Sequence, residues 1–182
     1  PDREGGALGP GLDPVEAAQN IMYDAWEATT RSKRIALARK ALEVSPFCAD
    51  AYVLLAEEEA RSGEEVLEYY EQGVEAGELA LGKEGFEEYA GHFWGFLETR
   101  PYMRARAGLA AALWRLGRHQ EAIGHYQAML KLNPNDNQGI RYVLAGHLLA
   151  RDDIKVLKKL IKKYEDDGAA AWLYTQSLLA FR

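Results

Sequence analysis

Residues 104–134 read RARAGLAAALWRLGRHQEAIGHYQAMLKLNP, two amphipathic helical patterns joined at Gly117 and closed by Pro134. Leu109, Ala110 and Leu113 mark the apolar face of the first pattern, Ala122 and Tyr126 that of the second. Glycine and proline punctuate such patterns, so the segment predicts a helical hairpin. A lone hairpin cannot cover its own apolar face. It has to stack against further units of the same kind.

The rest of the chain supplies those units. Residues 18–46 carry Ile21, Ala41 and a closing Pro46, with Thr29 and Thr30 in place of a turn glycine and Arg34 where a small residue is expected. Residues 50–78 carry Tyr52, Leu55, Ala56 and Gly63, then Val66, Leu67, Tyr70 and Val74 at helical spacing. After Pro134 a further hairpin is expected, with Asn135 or Asp136 as N-cap, Ile140, Val143 and Leu144 inward, and residues 151–153 as a polar turn. One more amphipathic helix follows, over residues 169–182, and is expected to cap the array. The expected division is a flexible Gly/Pro-rich linker at 1–13, repeats near 15–48, 49–81, 103–136 and 137–167, an insertion at 82–102, and the capping helix.

Spacing and residue type together resemble the tetratricopeptide repeat, whose period is about 34 residues. The resemblance implies an all-α solenoid of antiparallel hairpins, built to bind proteins and not to carry chemistry. The wording GHFWG followed by TRPYMRARAGLA is also similar to the suppressor-of-tumorigenicity-7 family and its bacterial tetratricopeptide relatives. In tetratricopeptide proteins the first helix of each hairpin lines a concave groove. Carried over by position, the groove residues are Gln19, Tyr23 and Trp26, then Asp50, Val53 and Glu57, then Arg104, Ala111 and Trp114, and lastly Gln138, Arg141 and Leu148. Members that hold acidic chaperone tails use a basic and amide set, of which only Arg104 is matched here, since Leu54 and Gly108 stand at two of its positions. Arg104 and Arg141 are expected to grip a carboxylate.

The insertion sets Phe86, Tyr89, Phe93, Trp94, Phe96 and Tyr102 among Gly82, Gly85, Gly91 and Gly95. Phe86, Tyr89, Phe93 and Phe96 form one stripe, which suits an extra helix across the second repeat, with Thr99 capping the helix that follows. These rings are expected to fill a local core. Trp94, Arg100 and Tyr102 are the alternative, a secondary binding surface.

Composition narrows the function. A net charge of −6 leaves no basic face for nucleic acid. No apolar run approaches the roughly 20 residues that span a bilayer. The single cysteine, Cys48, makes no internal disulfide, so a reducing, cytoplasmic setting is expected, and an inert buried thiol. His92, His119, His125 and His147 show no metal-ligand spacing, and no catalytic or phosphate-binding motif occurs. No cofactor, metal or catalytic residue is therefore expected. Charge is polarised, with twelve glutamates over residues 57–88 and a lysine face at 155, 158, 159, 162 and 163. The expected function is a non-catalytic scaffold taking a peptide or helical segment of a partner. Self-assembly and service as the regulatory domain of a larger enzyme are the alternatives.

Overall fold

Four helix starts among the described residues are capped by short polar side chains. Asp13 accepts from the Val15 amide at 2.8 Å, Thr30 from Lys33 at 3.4 Å, Ser62 from Glu65 at 3.1 Å and Asp153 from Val156 at 3.2 Å. Each satisfies one of the amides a helix leaves unpaired at its first turn. The computed structural model describes residues 13–181, so all but the last residue of the expected 1–13 linker lies outside the described residues. Among the described residues it holds α1 (Pro14–Glu27), α2 (Arg31–Val44), α3 (Ala49–Glu58), α4 (Gly63–Glu88), α5 (Arg100–Arg115), α6 (His119–Leu132), α7 (Ile140–Ala150), α8 (Ile154–Lys163) and α9 (Ala170–Ala180), with no strand. The fold is all-α.

Neighbours in sequence are neighbours in space. α1 packs on α2, α3 on α4, α5 on α6 and α7 on α8, while α2 meets α3, α4 meets α5 and α6 meets α7. α3 and α5 also lie side by side, and α9 leans on α7. The core is correspondingly divided. One cluster joins Met22, Ala38, Leu54 and Leu55. A second joins Val53, Tyr70, Leu109 and Ala122. The third and largest runs from Phe93 and Tyr102 through Met129, Leu144 and Leu157 to Trp172.

Small residues set the distances between these helices. A Cβ on Gly73 would stand 3.2 Å from Cβ of both Ala105 and Tyr52, and one on Gly77 only 2.9 Å from Cβ of Tyr102. α4 is thereby drawn tightly against α3 and α5. Ala122 is fully buried in the second cluster, where α6 meets its neighbours. Extra methylenes in a packed core cost about 1–3 kcal/mol. Ala122→Leu is expected to lose that much in urea denaturation, and an unchanged midpoint would refute the packing.

The region of the expected insertion differs from the sequence reading. The helical run of α4 is broken at Gly82, whose φ of +57° and ψ of −179° are non-helical and suit glycine, and a short second run over residues 83–88 stands where a helix reaching Phe96 was expected. Turns then occupy residues 89–99, so Phe93 and Phe96 sit on non-helical backbone. The rings of Phe86, Phe93 and Tyr102 meet at centroid distances of 5.0, 5.1 and 6.1 Å and form a local core. Thr99 does occupy the N-cap position of α5, but its hydroxyl donates to the carbonyls of Phe93 and Phe96 instead of capping. It ties the turn down.

Arg34 finds a use for its unexpected bulk. Its Nε donates to Glu58 Oε1 at 2.5 Å and its Nη1 to the Ala28 carbonyl at 3.1 Å, which joins α2 to the end of α3. At the next hairpin, α7 begins four residues later than the expected cap. Asp136 nevertheless performs the task, accepting from the amides of Ile140 at 2.7 Å and Arg141 at 2.8 Å. Val143, expected inward, is exposed, whereas Ile140 and Leu144 are buried.

Candidate protein-interaction surface

α1, α3 and α5 present the residues expected to line a groove, and three of them turn out to bind one another. The Asp50 carboxylate, in the first turn of α3 and wholly buried, accepts from Arg104 Nε at 2.7 Å and Arg104 Nη2 at 2.5 Å. Gln19 Nε2 of α1 donates to the same carboxylate at 2.8 Å. The Arg104 guanidinium also stands 5.4 Å from the ring of Trp26. Such a two-pronged charged pair is strong and directional. Arg104 is therefore committed to an internal carboxylate.

Arg141 is committed in the same way. Its guanidinium reaches Asp136 at 2.9 Å and Asp167 at 2.6 Å, and lies 4.3 Å from the Tyr142 ring and 5.3 Å from the Tyr164 ring. Tyr142 donates to Asp167 at 2.8 Å. The Ala169 amide, Tyr142 and Arg141 hold the Asp167 carboxyl below its ordinary value. Burial pushes the Tyr164 phenol up to about 12. This cluster fastens the segment before α9, where Trp172, fully buried, donates to the Tyr164 carbonyl at 2.9 Å. The expectation that Arg104 and Arg141 grip a partner's carboxylate is thus corrected: both already hold one from this chain.

Other expected groove residues are covered as well. Asp50, Val53 and Leu148 are buried, because α5 packs against the face of α3 that the repeat register turns outward and α7 faces the third cluster. Gln138 is half-buried, its Oε1 out of water and without a hydrogen-bond partner. What remains open on the first-helix face is Tyr23 at 46% exposure, Trp26 at 43% and Glu57. Tyr23 and Trp26 form a pair at 5.8 Å. Tyr70 extends from α4 to Glu57 at 3.5 Å, and burial pushes its phenol up to about 12 while the Glu57 carboxyl is likewise raised by burial.

Trp114 closes this row. Its ring stacks on His147 of α7 at 3.6 Å and 16°, and meets His119 at 4.2 Å. Burial, with the nearby His119, holds His147 below the ordinary histidine value, and burial, with Arg106, does so for His125. The unfolded chain takes up these protons near pH 6.5, the folded chain only lower. Stability is therefore full above about 6.5 and falls as pH drops below it. A lower Tm at pH 5.5 than at 7.5 is expected, with a flatter profile in His147→Phe; equal slopes would rule the stack out as the cause.

The secondary surface is only partly a surface. Arg100 Nε donates to the Trp94 carbonyl at 3.1 Å and its guanidinium lies 5.7 Å from the Trp94 ring, both residues half-buried. Tyr102, expected beside them, is core, its phenol pushed up to about 12 by burial. Cys48 is buried where α3 begins, and burial pushes its thiol up to about 11, so it stays a neutral thiol.

Sequence reasoning missed Tyr70 and Gly108. The Tyr70 ring lies where a side chain on Gly108 would be, and passes over it to reach Glu57. The only local signal was a glycine in the middle of a strong helical pattern.

These features define a class: a chain of packed helical hairpins whose chemistry-bearing side chains are spent largely on joining one hairpin to the next. The chain belongs to the ST7 protein family, whose family model matches residues 11–182. It is similar to the suppressor of tumorigenicity 7 protein-like of Gallus gallus, with 29% identity over 93% of this chain and 32% of the relative. The Homo sapiens protein of the same description is 28% identical over 93% of this chain and 31% of its own length. The suppressor of tumorigenicity 7 protein of Mus musculus is 27% identical over 93% and 34%. The chain spans about a third of the length of these relatives. None of the described helices is long and apolar enough to cross a membrane.

Proposed function

We propose that this chain is a non-catalytic, cytoplasmic protein-interaction module, arranged as a tetratricopeptide-type solenoid, that takes a peptide or helical segment of a partner on the face made by α1, α3 and α5. The observation that carries the reading is the open pair Tyr23 and Trp26, with Glu57 of α3 likewise exposed. Aromatic side chains held by a rigid frame are frequent anchors of binding energy. Trp26 is so held, by the Arg104 guanidinium. With Arg104 and Arg141 engaged internally, recognition on this face rests on ring contacts and the Glu57 carboxylate and not on a carboxylate clamp.

The test is a photo-crosslinking residue placed at Tyr23 in the full-length protein. A crosslinked partner that disappears with Trp26→Ala supports the reading. Equal crosslinking in both proteins, or none, counts against it. Self-assembly is favoured by a different observation, the exposure of Leu173, Tyr174, Leu178 and Phe181 along α9. A mass that doubles with concentration, and reverts to one copy in Leu173→Glu, would move the function there.

A further inference from the structure

Consecutive helices pack on one another throughout the described residues, except at one seam. α8 and α9 both rest on α7 but make little contact with each other. A cleft of about 520 Å³ is left there, lined by Leu149 and Ala150 of α7, Asp152 of the turn, Ile154 and Lys158 of α8, and Leu179 of α9. Leu149 and Leu179 extend the third core cluster into this cleft. With nothing packed over the seam, Leu149, Ile154 and Leu179 stay only half-buried.

Charge marks one wall of the same cleft. Lys158 shares a stripe of α8 with Lys155, three residues before it, and Lys162, four after it. All three are exposed, and none forms an ion pair with the described residues. The neighbouring acids are used elsewhere, Asp153 as the cap of α8 and Asp167 as the partner of Arg141. The other wall differs, since α9 carries no charged residue over 170–180. The seam is therefore apolar inside, basic along α8 and neutral along α9.

We propose that this seam takes an amphipathic helix of another protein, with an apolar stripe facing the cleft and glutamate or aspartate along one flank only. A helix laid into a groove between two others presents its contacts every three and four residues. Lys155, Lys158 and Lys162 repeat at that interval and span about 10 Å along the α8 axis, so carboxylates at the same spacing meet them in register. The aliphatic stems of the lysines shield the edge of the apolar contact, and Leu149, Ile154 and Leu179 receive the stripe. A bilayer is a poorer match, because helices that lie on membranes keep an apolar face free and Leu157 and Leu160 of α8 are already buried. Nucleic acid is opposed by the net charge of −6. This surface shares with the first-helix face only the reading of the chain as an interaction module, and owes nothing to Tyr23 or Trp26.

The test titrates a labelled, capped helical peptide, ELAAELAELAAEL, into the full-length protein by anisotropy, with hydrogen–deuterium exchange locating the contact. Binding is expected to protect α8 and α9, to weaken as salt rises, and to fall at least tenfold in Lys158→Glu with Lys162→Glu, two exposed positions whose reversal should leave the helical circular dichroism unchanged. The same charge change on α2, Lys33→Glu with Lys40→Glu, should leave the affinity as it was. Binding should also persist in Trp26→Ala, so that failure here and failure of the first-helix face are told apart. No binding at millimolar peptide would overturn the proposal, as would an equal loss in the α2 variant or protection confined to α1, α3 and α5. Equal affinity for ESAAESAESAAES would overturn it by showing the apolar cleft to be unused. Lysine-dependent sedimentation on phosphatidylserine vesicles without peptide binding would make the face a membrane surface, and displacement of the peptide by unlabelled protein would make the occupant a second copy.

Discussion

Gly108→Ala is expected to destabilise the protein by about 3 kcal/mol, the upper range for forcing a methyl into a filled core. At an ordinary helix interior the same change is stabilising by about 0.5–1 kcal/mol. The sign is reversed here because an added Cβ would overlap the Tyr70 ring, which is itself walled in by Val53, Leu109 and Ala112. The ring is only 9% exposed, so little open space is left for it to swing into. A double-mutant cycle in urea makes the argument decisive. In a Tyr70→Ala background the obstacle is gone, and Gly108→Ala should become neutral or stabilising. If it destabilises equally in both backgrounds, the ring is not the cause.

Arg104→Ala is expected to cost about 3–5 kcal/mol, the loss typical of stripping one partner from a buried ion pair. Asp50 would keep only Gln19 as a side-chain partner, with no water access of its own. Arg104→Glu should be worse, because a second carboxylate would face the first. That outcome replaces the sequence-based view of Arg104 as a groove residue that grips a partner's carboxylate. Replacing Asp50 by Asn in the Arg104→Ala protein should recover part of the loss, since a neutral amide is cheaper to bury than an unpaired charge. Recovery of none of it would point to the lost ring contact with Trp26 instead.

What the sequence made legible, and what it hid, divides by separation along the chain. Helical periods, the capping role of Asp136, and the turn at Gly117, whose φ is +78°, all lie within windows of a few residues. Physical rules for such windows are strong. Asp50 and Arg104 are 54 positions apart and Arg141 and Asp167 are 26 apart, so of their carboxylates only Asp136, five residues before Arg141, lies near its arginine in the chain. Both arginines therefore read as ligand-binding groups when taken one at a time. The stripe of Phe86, Tyr89, Phe93 and Phe96 misled for another reason. Its spacing is helical, yet Gly91, with φ at +89°, follows the end of α4, and of the last two rings, both on turns, Phe93 enters the core while Phe96 stays exposed against Tyr89.

The ion pair of Asp50 and Arg104 has a consequence for how the molecule comes apart. Stacked hairpins that touch only their neighbours can fray from an end, one unit at a time. Gln19 on α1, Asp50 on α3 and Arg104 on α5 form a single knot across three such units. Opening any one of them strips a hydrogen-bond partner from the buried Asp50 carboxylate or takes that carboxylate away from Arg104 and Gln19. Amides of α1, α3 and α5 should accordingly exchange with deuterium together, at one shared opening free energy, whereas α9, fastened mainly by Trp172 and the Arg141 cluster, should open on its own and earlier.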